Sequence, residues 1–195
     1  KINGPCVGAS DACATGLMNA GLAYMAVKTG FVKQALCGGT EEYHPMFSAC
    51  FDIMQATSHN FNDRPAEACR PFDKDRTGLV ASEGCGLLFV ESEESAKARG
   101  AEILAEIIGF ASNTETENMA YPSAETLREC MQAALADAGI QPEEVDLLNA
   151  HATGTVIGDI AETQAAAAVF GPGVKINSLK GHLGHTMGAS GSLET

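Results

Sequence analysis

Small residues recur at Ala14, Gly16, Ala20, Gly21, Ala23 and Ala26, so a helix over residues 14–27 would let other backbone approach it closely on several sides. With no wide polar face, this segment reads as a central, buried helix. Ahead of it, Pro5-Cys6-Val7-Gly8-Ala9 reads as a buried strand, and the stretch from Gly8 to Gly16 turns one element into the other. Cys13 then falls at the helix N-terminus, where unpaired N–H groups and the helix dipole favour an anion and lower a thiol's pKa. A cysteine there is equally suited to act as a small buried hydrophobe. The rest of the chain has to separate nucleophile from packing.

Downstream, Gly30 is a stop for the helix, and residues 34–37 form a short apolar strand ending in Gly38-Gly39. Strand, helix, strand in that order is a βαβ unit and predicts neighbouring parallel strands. Residues 45–55 are apolar, with Met46, Phe47, Phe51 and Met54, and read as a short helix or packed loop whose role is core packing or pocket lining. Residues 57–78 have the composition of a loop, in which Asp73 and Arg76 are placed to form an ion pair that pins it. Residues 84–90 read as a buried strand, 91–99 as a short helix with acids first and bases last, and 103–110 as another strand. Residues 113–123 are polar and unpatterned. Ser123 opens an amphipathic helix over 126–138 that Gly139 stops. Then come a strand over 145–149, a helix over 159–170, a strand over 174–177 and a glycine-rich turn over 178–184, with a further helix beginning near Ser192.

Charge and cysteine usage narrow the function. A net charge of −13 argues against a nucleic-acid or anionic-membrane surface, which need clustered Lys and Arg. Seven cysteines without a C-x-x-C pair suggest reduced thiols rather than a disulfide framework or zinc ribbon, and a cytoplasmic setting is expected. No apolar run is long enough to cross a bilayer, since Asn19 and Lys28 interrupt the longest. No signal-peptide pattern follows Lys1, and the ends read as those of a piece of something larger.

Three groups stand at ends of strands: Cys13; His151 in Ala150-His151-Ala152-Thr153-Gly154-Thr155; and Lys180-Gly181-His182-Leu183-Gly184-His185. The ends of strands are where open α/β sheets bind ligands. A thiolate with two histidines suits acyl transfer: neutral imidazoles donate N–H bonds to a thioester oxygen as charge develops, and a nearby ammonium keeps them neutral. His182 and His185 have H-x-x-H spacing but no carboxylate or thiolate ligands close by in sequence, so no metal is expected. Neither a G-x-x-x-x-G-K-S/T nor a G-x-G-x-x-G pattern is present, so nucleotide binding has no support.

This constellation resembles the β-ketoacyl synthases, the condensing enzymes of fatty acid and polyketide assembly. The matching residues are Ala12-Cys13-Ala14-Thr15-Gly16 for the nucleophile segment, Ala150 to Thr155 for the A-H-G-T-x-T motif, and Gly158-Asp159 with Glu162 for G-D-x-x-E. Lys180, Gly184-His185 and Gly188-Ala189-Ser190-Gly191 match the lysine–histidine segment, and Pro71 to Gly78 matches P-F-D-x-x-R-x-G. The resemblance implies an α/β, thiolase-like fold, layered α-β-α-β-α. Residues 1–110 would be the later part of its N-terminal half and 111–195 the early part of its C-terminal half. It implies Cys13 as the acyl-accepting nucleophile, its own N–H forming half of an oxyanion hole, with His151 and His185 stabilising the enolate from a malonyl thioester. Lys180 would tune the histidines, Thr153 and Thr155 would bind the phosphopantetheine arm, and Glu162, with Asp73 and Arg76, would brace the site.

By the same resemblance no cofactor is needed, because substrates ride on the phosphopantetheine of an acyl carrier protein. That carrier is the implied partner, beside a second ketosynthase copy in a homodimer or a ketosynthase heterodimer. The family's second oxyanion N–H and gatekeeper phenylalanine fall beyond this stretch, so turnover by these residues alone is not expected. Three departures stand out: Asp11 where Thr is usual, Ala152 where Gly is common, and residues 51–62 without Lys or Arg, which puts the carrier-docking face in question. Two alternatives share the fold: a non-catalytic subunit of the chain-length-factor type, which typically loses the cysteine, and a thiolase acting on coenzyme A thioesters.

Overall fold

The computed structural model describes residues 3–116 and 121–195. The chain forms two compact units, one from Lys1–Glu42, Glu83–Phe110 and Thr186–Thr195, the other from Tyr43–Ser82 and Ala111–His185. Each unit draws on both sides of residue 110, so neither is a continuous stretch of sequence.

In the first unit, helix α1 (Thr15–Lys28) buries Gly16, Ala20, Gly21 and Ala23. It is not buried all round, as the sequence suggested: Leu17 and Met25 face outward, and only the small-residue side is covered. Strands β1 (Gln34–Glu41) and β2 (Gly84–Glu91) pair antiparallel, with Gln34 opposite Glu91 and Glu41 opposite Gly84. The expected parallel βαβ unit around α1 does not form. Residues 5–9 belong to no strand, and Val7 is 76 % exposed. An apolar run becomes a strand only where a neighbouring edge takes its hydrogen bonds, and among the described residues none pairs with it.

Residues 103–110 depart from expectation for the same reason: they lie on α1 rather than in a sheet. The Tyr24 hydroxyl donates to the Ile108 carbonyl at 3.1 Å. The Phe110 ring occupies the space above Gly21, where a Cβ would come within 2.1 Å of it. Strand β2 is less buried than expected, with Leu87 and Phe89 exposed.

Helix α3 (Glu93–Ala98) is capped by the Ser92 side chain, which accepts from the Ser95 N–H. Glu91 pairs with Arg99 across this helix, and the guanidinium, with Ser95, holds the Glu91 carboxyl down at about 2. A close backbone contact fixes the far end of β1. A Cβ on Gly39 would lie 2.0 Å from the Gly188 carbonyl oxygen, so this approach needs glycine.

The second unit contains α2 (Pro45–Ile53), α4 (Ala124–Ala138), β3 (Leu147–Asn149), α5 (Val156–Phe170), β4 (Lys175–Asn177) and the short α6 (Lys180–Leu183). Residues 45–53 are helical, but they do not pack a core here: Met46, Phe47 and Ile53 are exposed and no residue of α2 is buried. Helix α4 starts where the Ser123 hydroxyl accepts the Thr126 N–H and stops at Gly139, whose φ of 70° suits a residue without a Cβ. Part of the polar stretch 113–123 lies outside the described residues.

Strands β3 and β4 are parallel, Leu148 opposite Ile176, with α5 as the crossover between them. The parallel pairing expected around α1 is found here instead, in a strand, helix, strand segment for which the sequence named the elements but not their pairing. The glycine-rich stretch after β4 is more ordered than a turn, since Lys180–Leu183 closes one helical turn. In the first unit, Ser190–Glu194 forms the short helix α7. No helix among the described residues is long and apolar enough to cross a membrane.

Candidate active site

The parallel pair β3–β4 places the histidine chemistry of the second unit. Past Asn149, the Ala150 N–H still bonds the Asn177 carbonyl at 2.8 Å, and the chain then leaves the ladder at His151. Glu162, on α5, holds that exit. One carboxylate oxygen accepts the His151 N–H and the other the Ala152 N–H, both at 2.7 Å. Glu162 therefore braces the backbone beneath the His151 ring.

His185 is reached from the other side. Its N–H donates to the Val80 carbonyl at 2.7 Å and its carbonyl accepts from Ser82 N at 2.9 Å, so residues 80–82 hold it by strand-like bonds. The two imidazoles meet edge to face, ring centroids 5.1 Å apart and planes at 85°. Lys180 opens α6 and is 1 % exposed, as is His185.

The Lys180 charge disfavours protonation of both rings, and burial adds to it at His185. Desolvation first, and the Lys180 ammonium second, lower the His185 pKa to about 4. His151 is also held well below the usual imidazole value, by desolvation and then by Lys180 and His185. The residue keeps a solvent-facing side, so this desolvation is partial, but the Lys180 charge pushes the same way. At neutral pH the pair therefore offers N–H donors without net charge.

The loop carrying Thr153 and Thr155 is fixed from below. Their hydroxyls lie 3.1 Å apart. Asp159, 1 % exposed, accepts the Gly154 N–H at 3.1 Å and the Phe72 N–H at 2.8 Å. The expected Asp73–Arg76 ion pair is replaced by two others. Arg76 binds Asp159 at 3.1 Å, and Asp73 binds Arg70 at 3.1 Å. The reason is solvation: Asp73 is partly open to water, whereas the buried Asp159 carboxylate needs a cation. Arg76 still pins the loop, through the carbonyls of Asp73 at 2.8 Å and Val156 at 2.9 Å. Burial nevertheless pushes the Asp159 and Glu162 carboxyls up, against the N–H groups they accept.

Asp159 stands in the G-D-x-x-E match, and its role as the anchor of Gly154 and Phe72 emerges from the fold. The signal was available, because Asp159 and Glu162 are three apart and share one helix face. Cys69 was missed entirely. Its thiol, which burial pushes up, donates to the Lys180 carbonyl at 2.7 Å.

Cys13 stands in the first unit, in the single 3-10 turn Ala12–Ala14 that runs into α1. It is partly exposed and forms no disulfide. Ala12 has a φ of 43°, which an L-residue adopts only under constraint. Thr15 supplies that constraint: its hydroxyl accepts the Asp11 N–H and donates to the Ala12 carbonyl, each at 2.8 Å. A second such turn, Met187–Ala189 with Met187 at φ 45°, packs against this one and is tied down by Glu41, which accepts the Gly188 N–H at 3.1 Å. The helix-terminal placement of the cysteine is as the sequence implied; the preceding strand is absent.

Sequence models of the β-ketoacyl synthase N-terminal domain and of its C-terminal domain match residues 1–96 and 104–195. The chain belongs to the β-ketoacyl synthase family.

Among curated relatives, this ketosynthase chain is 42 % identical over 198 residues to 3-oxoacyl-(acyl-carrier-protein) synthase I, chloroplastic, of Arabidopsis thaliana, covering 99 % of this chain and 42 % of that protein. A β-ketoacyl synthase crystal structure from Burkholderia phymatum superposes with a TM-score of 0.93 at 46 % identity, over 95 % of this chain and 45 % of the other. A type II polyketide ketosynthase, solved in complex with its acyl-carrier protein and bound to the hexaketide, superposes with a TM-score of 0.88 at 36 % identity, over 94 % and 46 %. These likenesses give the ketosynthase chain a thiolase-like fold. The chain spans about half the length of the curated relatives it matches.

Proposed function

We propose that the protein is a β-ketoacyl synthase that elongates acyl chains held on an acyl carrier protein, in fatty acid or polyketide assembly. The observation that carries this reading is the edge-to-face pair of imidazoles, His151 and His185, 5.1 Å between centroids, with the Lys180 charge opposing protonation of both. Neutral N–H donors suit a reaction in which negative charge develops on a thioester oxygen. The Cys13 thiolate attacks the carrier-bound acyl thioester and expels the carrier thiolate, leaving an acyl-cysteine. A malonyl thioester then loses its carboxylate as CO₂. The electron pair of the broken C–C bond delocalises onto the thioester oxygen, where His151 and His185 donate to it.

The enolate carbon attacks the acyl-Cys13 carbonyl, the tetrahedral intermediate collapses with departure of the cysteine thiolate, and a 3-oxoacyl thioester remains on the carrier. Thr153 and Thr155 bind the phosphopantetheine arm, while Glu162 and the Arg76–Asp159 pair hold their loops. On this reading residues 1–110 and 111–195 are the adjoining parts of two ketosynthase halves, no cofactor is required, and the enzyme works in the cytoplasm as a dimer of ketosynthase chains. A carrier-protein partner is supported by the relative solved with one. Retention of Cys13 speaks against a non-catalytic, chain-length-factor role.

The test is peptide mass spectrometry of the protein, in its longest obtainable form, after incubation with an acyl-carrier-protein thioester, beside Cys13→Ala. An acyl adduct confined to the Cys13 peptide and absent from the variant is expected. A folded protein that gains no adduct, or gains one equally in Cys13→Ala, refutes the assignment.

A further inference from the structure

Ser178 follows β4, at the point where the chain leaves the parallel ladder for the turn bearing Lys180 and His185. The last rung between the two strand ends is the Ala150 N–H on the Asn177 carbonyl. Beyond it, one hydroxyl continues the connection. Ser178 Oγ donates to the Ala152 carbonyl at 2.9 Å and accepts the Lys180 N–H at 3.3 Å. A serine has one O–H to donate and lone pairs to accept, and both functions are used here, in opposite directions.

The two ends of this bridge matter differently. Ala152 is held from both sides, its N–H by Glu162 and its carbonyl by Ser178, and it adjoins His151 in the chain. Lys180 is the first residue of α6, and its carbonyl accepts the Gly184 N–H, immediately before His185. The spacing of the two rings, 5.1 Å between centroids, therefore depends on two loops that Ser178 joins. The geometry points to Ser178 as a positioning residue for the His151–His185 pair, tying the loop that presents one histidine to the turn that presents the other. Its catalytic consequence rests on the synthase reading above; the tie itself does not.

Two readouts test it in Ser178→Ala and Ser178→Thr. Hydrogen exchange is expected to speed up by about tenfold in peptides covering both 150–155 and 178–185 of Ser178→Ala, with α4 unchanged. Decarboxylation of a malonyl-carrier thioester is expected to slow by about tenfold, with acyl transfer to Cys13 within about twofold of wild type. Ser178→Thr keeps the hydroxyl and restores both.

Faster exchange in only one of the two peptides, in neither, or equally in α4 overturns the inference, as does an equal loss in the alanine and threonine variants. A wild-type protein that, in its longest obtainable form, does not decarboxylate the malonyl thioester overturns the synthase reading instead, and the exchange data still judge Ser178.

Discussion

Keeping His185 neutral inside the protein carries a free-energy cost in acid that can be measured. The pKa falls from the ordinary 6.5 to about 4, a drop of about two and a half units. At about 1.36 kcal/mol per unit, this is about 3 kcal/mol of folding free energy linked to one proton. The folded-state value lies below the unfolded one. The contribution of the neutral ring is therefore complete above about pH 6.5 and is lost as pH falls through that value toward about 4.

Urea unfolding at steps from pH 7 to pH 4 reads this directly. Between those limits the wild type is expected to lose about 3 kcal/mol more stability than His185→Gln, which has no proton to take up there. His151, Asp159 and Glu162 are present in both proteins, so their titrations cancel to first order. Stability curves that run parallel, to within about 0.5 kcal/mol, would refute the claim that burial and Lys180 hold this ring neutral.

Lys180→Met removes the charge that opposes both imidazoliums, so the histidine pKa values rise and the acid limb of malonyl decarboxylation moves to higher pH; a pH–rate profile that does not move contradicts this. Arg76→Gln leaves the Asp159 carboxylate buried without its cation and is expected to cost about 3 kcal/mol. In Arg76→Gln/Asp159→Asn the loss should be smaller than the sum of the single losses, as a double-mutant cycle of denaturation midpoints will show. Gly39→Ala drives a Cβ to 2.0 Å from a backbone oxygen that cannot step aside, and a loss of about 3 kcal/mol is expected. Gly173→Ala, whose Cβ would meet nothing within 4 Å, is the matched control and should shift the melting temperature little.

What was legible in the sequence is what local chemistry specifies. The small residues of α1 include the four it buries, Ser123 and Gly139 marked both ends of α4, and the strand, helix and strand read over 145–149, 159–170 and 174–177 are present as β3, α5 and β4. The motifs around Cys13, His151, Lys180 and His185 were readable as the family's because each is contiguous in the chain. His151 lies at its strand end as expected, whereas Cys13 starts a helix with no strand before it and Lys180 opens a short helix rather than a turn.

Partnership between distant segments was not legible. Residues 5–9 and 103–110 have strand composition, yet a strand exists only where another edge completes its hydrogen bonds, and that is a property of the neighbours. Asp73 and Arg76 are three apart and of opposite charge, so proximity favoured pairing them. Tertiary structure gave Arg76 to Asp159 instead, because a carboxylate removed from water gains more from a cation than one still hydrated. The neutrality of His185, too, comes from burial and from Lys180, and that of His151 from the same lysine, brought near by folding. Sequence by itself determined which groups are available and which turns present them; only the tertiary structure decided their partners and charge states, since solvation and distance are set by the whole fold.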